Sequence, residues 1–303
     1  MRAPEEEKGS APRSRTTLPP WFKVPLPGGE DYRRLKDLMR EKKLATVCEE
    51  ARCPNVGECW KEGTATIMVL GEVCTRGCRF CAVTTGNPKG ALDADEPRHV
   101  AEAVEAMGLR YVVLTSVDRD DLPDFGADHY ARCIEAIHEK TPEVRIEVLT
   151  PDFQGRREAV RRIAEARPDV FAHNIETVSR LHRTVRDVRA RYEQSLEVLS
   201  IAKEEGVGFT KSSILLGLGE SEEEVLETMR DLRGVDCDFL TLGQYLRPSP
   251  KHHEVVRFWT PDEFTAFARE GRKMGFRYVA SAPLVRSSYK AAEGVIAAEL
   301  EAR

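Results

Sequence analysis

The chain has 303 residues, and its 46 Lys and Arg against 51 Asp and Glu leave a net charge of −5. That length buries a full core as one α/β barrel or as two smaller domains, and an acidic chain without a long basic block carries no nucleic-acid footprint. No run approaches the ~20 apolar residues of a membrane span, and the N-terminus MRAPEEEKGSAPRSRTTLPP is charged where a signal peptide is apolar, which points to a cytoplasmic protein.

Residues 1–20 are polar and proline-rich and read as a disordered tail. The stretch PPWFKVPLPGG then sets apolar anchors between prolines, as suits an extended arm on a globular body, and EDYRRLKDLMREKKL reads as a charged helix with Leu35, Leu38 and Met39 on one face. Residues 21–63 thus form an N-terminal arm. From residue 64 the chain alternates. Strand-like runs appear at ATIMVL, YVVLTS, RIEVLT, VFAHNIE, GFTKSSILLGL, FLTLGQY and RYVASA. Helix-like stretches lie between them, at EPRHVAEAVEAMG, HYARCIEAIHEK, REAVRRIAEAR, SLEVLSIAKEEG, SEEEVLETMRDL and PDEFTAFAREGRKMG. Six such units predict a parallel α/β fold over 64–282: a partial (β/α)6 barrel, since a closed eight-stranded one needs more units, or alternatively an open doubly wound sheet. Residues 283–303 are a C-terminal tail containing Arg286-Ser287-Ser288-Tyr289. In either fold the functional groups gather at the C-terminal ends of the strands.

Eight cysteines in a cytoplasmic chain serve metals or catalysis rather than disulfides, and six of them cluster. In GEVCTRGCRFCAV, Cys74, Cys78 and Cys81 follow the first strand on its βα loop. Three thiolates fit an iron–sulfur cluster if a fourth iron is left for another ligand. A zinc site is the alternative, although zinc usually takes paired Cys-x2-Cys halves. The stretch VCEEARCPNVGECW offers Cys48, Cys53 and Cys59, again one ligand short of four.

Other residues carry weaker signals. Asn174 and Glu176 end the fourth strand pointing at the mouth, as ligand contacts or as a plain polar pair, and Thr115 and Ser116 end YVVLTS, as ligand contacts or as loop caps. Lys211, inside an apolar strand, binds a carboxylate or makes an internal salt bridge. Gln244 and Arg247 follow the sixth strand, toward the mouth or in a solvated loop. His252 and His253 read as a surface pair, Cys133 and Cys237 as small core residues, and Ser221 with Glu224 as a capping box rather than part of a phosphate loop.

The Cys-x3-Cys-x2-Cys motif with Phe80 before its last cysteine resembles the radical S-adenosylmethionine superfamily. The second triad, RSSY, TSVDRDDLPDFGA, NIETV, LGLGE and HHEVVRFWTP together resemble the lipoyl synthase family from about Leu26 to Ala291. The resemblance implies a radical SAM partial barrel in which Cys74, Cys78 and Cys81 hold a 4Fe-4S cluster whose unique iron binds S-adenosylmethionine. It implies a second, auxiliary 4Fe-4S cluster on Cys48, Cys53 and Cys59 with Ser288 as fourth ligand, although a serine before YKAAEGVIAAELEA also suits a helix N-cap. The implied reaction inserts two sulfur atoms, drawn from the auxiliary cluster, at C6 and C8 of a protein-bound octanoyl-lysine. Catalysis then falls to Cys74, Cys78, Cys81 and Ser288, and cofactor contacts to Thr115, Ser116, Asn174, Glu176, Lys211, Gln244 and Arg247. The implied partners are an octanoylated lipoyl-carrier domain (a 2-oxoacid dehydrogenase E2 subunit or glycine cleavage H protein), an electron donor such as ferredoxin or flavodoxin, and an iron–sulfur carrier for cluster repair. A methylthiotransferase would add an RNA-binding domain, a biotin-synthase-like enzyme would lack the upstream triad, and a two-cluster electron carrier would not need the βα scaffold.

Overall fold

The computed structural model describes residues 18–22, 37, 40, 45–46, 64–289 and 291–295. The upstream triad Cys48, Cys53 and Cys59 and nearly all of the helix expected over 30–44 lie outside the described residues. Strand β1 (Ala45–Thr46) pairs antiparallel with β2 (Thr64–Val69). After the short parallel pair β3 (Val73–Cys74) and β4 (Thr84–Thr85) come β5 (Tyr111–Ser116), β6 (Arg145–Leu149), β7 (Val170–Ala172), β8 (Phe209–Leu216), β9 (Phe239–Gln244) and β10 (Tyr278–Ser281). The main sheet runs β1-β2-β5-β6-β7-β8-β9-β10, parallel from β2 onward, with β1 and β10 as its edges. All seven strand-like runs of the sequence are parallel strands here, and the crossovers between them are helical.

Local chemistry sets the helix ends. Gly108 closes Glu96–Met107 in the left-handed conformation, while Ser221 with Glu224 and Thr260 with Glu263 form capping boxes at Glu222–Gly234 and Pro261–Lys273. Outward-facing strand residues such as Ile67, Leu114, Val148 and Leu240 pack with helix residues such as Val100, Ile134, Val160 and Phe264 into the main core. A second cluster joins Tyr111, Val113, Val170 and Phe239 to Ala291 and Val295 of the C-terminal segment. These strand residues come from β5, β7 and β9, which would stand ~10 Å apart per step in a flat sheet. Their contact therefore curves the sheet into an incomplete barrel. No helix among the described residues is long and apolar enough to cross a membrane.

The end of β2 is firmly held. Leu70, at φ 69°, donates its N–H to Glu96 Oε2 at 2.9 Å, and its carbonyl accepts from Arg119 at 3.0 Å. Glu96 Oε2 also accepts from His129 Nε2 at 2.7 Å. Glu96, His129 and Cys133 bring ligand atoms within 4.8 Å of one another, yet that carboxylate is already engaged in anchoring the chain just before the cysteine loop. Cys133 and Cys237 are buried core residues, as expected.

Lys211 differs from the cofactor contact expected of it. Its Nζ lies 2.8 and 3.0 Å from the two oxygens of Glu147, which also accepts from the Tyr111 hydroxyl at 2.9 Å, all inside the barrel. The internal salt bridge is the outcome, because a buried ammonium needs a fixed counter-charge. Lys211→Met should cost ~3–5 kcal/mol by stranding Glu147, measured by urea unfolding, and Lys211→Met/Glu147→Leu should recover much of that. Equal losses in the single and double variants would show that the pair is not the source.

Candidate functional site

The cysteine loop leaves the C-terminal end of β2 and is tied to three other loops. Thr75 N–H donates to Asp118 O at 3.0 Å, Arg79 N–H to Val185 O at 2.8 Å, and His253 N–H to Arg79 O at 2.8 Å. Within the loop Gly86 N–H donates to Cys74 O at 2.9 Å, which closes the β3–β4 pair. Cys74, Cys78 and Cys81 are half-buried and line one cavity of about 260 Å³ at the mouth of the barrel. The N–H of Arg76 points at Cys74 Sγ (3.4 Å) and that of Asp187 at Cys78 Sγ (3.3 Å), a contact that favours thiolate. Without a metal, burial wins. Burial and then Asp118, whose carboxylate is 3.7 Å away, push the Cys74 thiol up to about 12. Burial pushes Cys81 up to about 11 and raises Cys78 against the pull of Arg186.

Arg76, inside the motif, is the buried hub of the loop. Its guanidinium meets Asp118 at 3.2 Å, Asp120 at 2.9 Å and Asp152 at 2.7 Å. Burial raises the Asp118 carboxyl to about 6 despite Arg76, whereas hydrogen bonds from Arg76 and Gln154 overcome burial and hold Asp120 at about 2. Arg189 extends the network, donating to Thr75 O at 2.7 Å and to Asp120 at 3.2 Å, while Asp187 accepts from Gly77 N–H at 2.9 Å.

Thr115, Ser116, Asn174 and Glu176 all line the same cavity, as the alternation of the strands suggests. Asn174 Nδ2 donates to Glu176 Oε1 at 3.1 Å, and burial raises the Glu176 carboxyl against the opposing charge of Arg186. His173 is neutral there, lowered to about 4 by burial and by Arg186. Two buried polar atoms of the lining residues, Ser116 Oγ and Arg186 Nε, have no partner. Such atoms are costly unless a ligand supplies the missing bonds. Three thiols with one ligand position to spare, beside unpartnered donors and a carboxyl, suit a cluster and a polar amino-acid-bearing cosubstrate. Arg186 was not anticipated, since nothing in HRTVRDVRARY marks one of its four arginines.

The C-terminal tail reaches this cavity through a close approach. A Cβ at Gly243 would stand 2.0 Å from Val285 O, so only glycine admits the segment, and Gln244 N–H then donates to Pro283 O at 3.2 Å. Ser287 lines the cavity, and Ser288 is half-buried in the same turn.

Three expected contacts are not brought to the cavity. Besides Lys211, Gln244 turns to the opposite face of β9 from Gly243, and its amide is consumed by Trp259 N–H at 2.9 Å and Arg257 O at 2.9 Å. Arg247 is exposed and donates to His252 O at 2.9 Å and Pro250 O at 2.6 Å, bracing its own loop. His252 is not a free surface residue either, since its Nε2 lies 2.9 Å from Cys81 O.

The raised thiols give a pH dependence. Burial raises all three thiols, which must lose protons to bind metal, so affinity rises with pH. With Cys48, Cys53 and Cys59 replaced by alanine, Co²⁺ titrations from pH 7 to 9 should give a slope approaching about three protons released per metal. A slope near zero would mean that the thiolates are preformed.

Comparisons with known proteins extend the reading. The family model of the radical SAM superfamily matches residues 68–232, and that of the N-terminal domain of lipoyl synthase matches residues 3–53, so the likeness begins well before Leu26. Lipoyl synthase from Sorangium cellulosum is 57% identical over 290 residues, covering 91% of this chain and 78% of its own. The Thermus thermophilus lipoyl synthase is 59% identical over 274 residues, covering 90% and 85%. Among solved structures, the FeFe-hydrogenase maturase HydG from Carboxydothermus hydrogenoformans superposes with a TM-score of 0.55 at 13% identity, covering 90% of this chain and 78% of its own, and shares the fold. Methylornithine synthase (PylB) does so at 0.50 and 15%, covering 88% and 96%. With its thiol triad at the mouth of a partial barrel, the chain belongs to the lipoyl synthase family of the radical S-adenosylmethionine superfamily, and is a sulfur-inserting enzyme that uses a 4Fe-4S cluster and S-adenosylmethionine.

Proposed function

We propose that the chain converts a protein-bound octanoyl-lysine into the lipoyl group by placing sulfur at C6 and C8. The observation that carries the reading is the meeting, in one cavity, of the three thiols of the cysteine loop with Ser287 of the RSSY turn. Cys74, Cys78 and Cys81 would hold the 4Fe-4S cluster, which with S-adenosylmethionine supplies one-electron cleavage to a radical able to take hydrogen from an unactivated methylene. Arg186 Nε and Ser116 Oγ, both without partners, would take the cosubstrate's carboxylate and a neighbouring polar group. Asn174 and Glu176 would hold its amine or ribose hydroxyls, and Thr115 the edge of the same pocket. This orients the reacting groups and keeps water out, which is what the protein contributes to such chemistry.

The sulfur would come from a second 4Fe-4S cluster, consumed as a substrate, on Cys48, Cys53 and Cys59 with Ser288 as its fourth ligand. A serine oxygen is a harder and poorer partner for a soft cluster than a thiolate, which suits a donor that is dismantled. The octanoyl arm arrives on an acylated carrier domain. Docking of a whole domain would help hold a mobile chain still for hydrogen abstraction. A cytoplasmic setting, a ferredoxin- or flavodoxin-type reductant and an iron–sulfur carrier for rebuilding the spent cluster complete the reading.

The test offers reconstituted, reduced enzyme an octanoyl-lysyl carrier domain or free octanoate and follows products by mass spectrometry. Dithiolation should be confined to the carrier. Alanine at Cys74, Cys78 and Cys81 should abolish S-adenosylmethionine cleavage, while alanine at Cys48, Cys53 and Cys59 should leave cleavage measurable and eliminate sulfur insertion. Equal loss of cleavage in both would refute the division of labour. Ser288→Ala should suppress lipoyl product at least ~10-fold with the Cys74 cluster intact by electron paramagnetic resonance; normal product from Ser288→Ala and none from Ser287→Ala would move the ligand to Ser287.

A further inference from the structure

We infer that His252 is a positioning residue for Cys81, an inference that rests on the cluster assignment above. The loop after β9 runs back to the cysteine loop and touches it twice. His253 N–H donates to Arg79 O at 2.8 Å, and His252 Nε2 lies 2.9 Å from Cys81 O. A carbonyl only accepts, so Nε2 carries the proton, and Nδ1 is left to accept from the Ser249 hydroxyl at 2.8 Å. One tautomer and one ring orientation are thereby selected.

The ring stands on a braced support. His252 N–H donates to Ser249 O at 3.0 Å, Arg247 Nε to His252 O at 2.9 Å, and the Tyr245 hydroxyl to His253 O at 2.8 Å. Gln244, through Arg257 O and Trp259 N–H, fixes the far end of the loop. On the other side, Cys81 N–H donates to Cys78 O at 3.1 Å. The peptide groups on both sides of the Cys81 Cα are therefore fixed, one from within the motif and one by His252, and its Cα–Cβ bond is aimed before any metal binds. The exposed-pair reading of KHHE had hidden this role.

The test uses the full chain with Cys48, Cys53 and Cys59 replaced by alanine, so that one cluster is counted, reconstituted anaerobically. His252→Ala and His252→Asn should lose iron to a ferrous chelator ~10-fold faster than this parent and shift the resonance spectrum of the reduced cluster, as expected when a group that orients a ligand is removed. His252→Gln, whose amide can place an N–H where Nε2 stood, should stay within ~2-fold of the parent, and Ser249→Ala should fall between. Iron loss from His252→Ala at the parent's rate would overturn the inference, as would His252→Gln behaving like alanine with the same drop in melting temperature, the mark of a merely structural role. A parent that takes up no iron would instead overturn the cluster assignment, and this inference with it.

Discussion

The ion cluster around Arg76 is the constraint on which the site depends. A guanidinium keeps its charge at any accessible pH, so a buried arginine must be matched by carboxylates or left unfolded. Asp118 and Asp120 follow β5 and Asp152 follows β6, so matching Arg76 fastens the thiol-bearing loop to the mouth ends of two neighbouring strands. Arg189 and Asp187 add the segment after β7 to the same network. Folding therefore arranges the three thiols in advance. The metal need not organise the loop as it does in small domains that fold only on binding. Of the three carboxylates around Arg76, burial raises that of Asp118, beside Cys74, to about 6, while hydrogen bonds from Arg76 overcome burial and lower Asp120 and Asp152.

Around this hub the cavity is polar but incomplete. Interior groups normally find partners within the protein, and a buried donor without one costs ~1–3 kcal/mol. Ser116 Oγ and Arg186 Nε, both on the cavity wall, break that rule together. Stability given up at one wall and recoverable by a polar ligand is the usual signature of a preorganised binding surface.

The sequence exposed the fold well because its signals are local. Runs such as YVVLTS and SILLGL are β-branched or aliphatic over one strand length, and SEEE and TPDE announce helix starts that form as capping boxes. The cysteine triad and the Asn174–Glu176 pair were equally legible from spacing and strand-end position. The failures share a different cause. Lys211, Gln244 and Arg247 are polar residues near strands, but whether each faces the mouth depends on which partner the fold brings to it: Glu147, Trp259 with Arg257, and the carbonyls of Arg247's own loop. Arg186 and His252 were missed for the converse reason. Their roles arise from what the fold sets beside them, the cavity wall for Arg186 and the Cys81 carbonyl for His252, which no local pattern encodes.

The barrel interior is divided into a floor and a mouth, and that division fits the chemistry. Below the cavity, Tyr111, Val113, Val170 and Phe239 pack with Ala291 and Val295, and the Lys211–Glu147 pair is closed within this layer. Among the described residues, apolar side chains thus surround a satisfied ion pair in the floor of the barrel. At the top, the glycine-dependent approach of Val285 to Gly243 draws the tail over the end of β9 and sets Ser287 on the cavity wall. One C-terminal segment thus contributes to both the seal below and the wall above. A reactive radical is useful only where it meets its intended methylene before solvent or protein. Tying the floor and the RSSY turn to the same stretch of chain makes a sealed interior and a complete site parts of a single folding event.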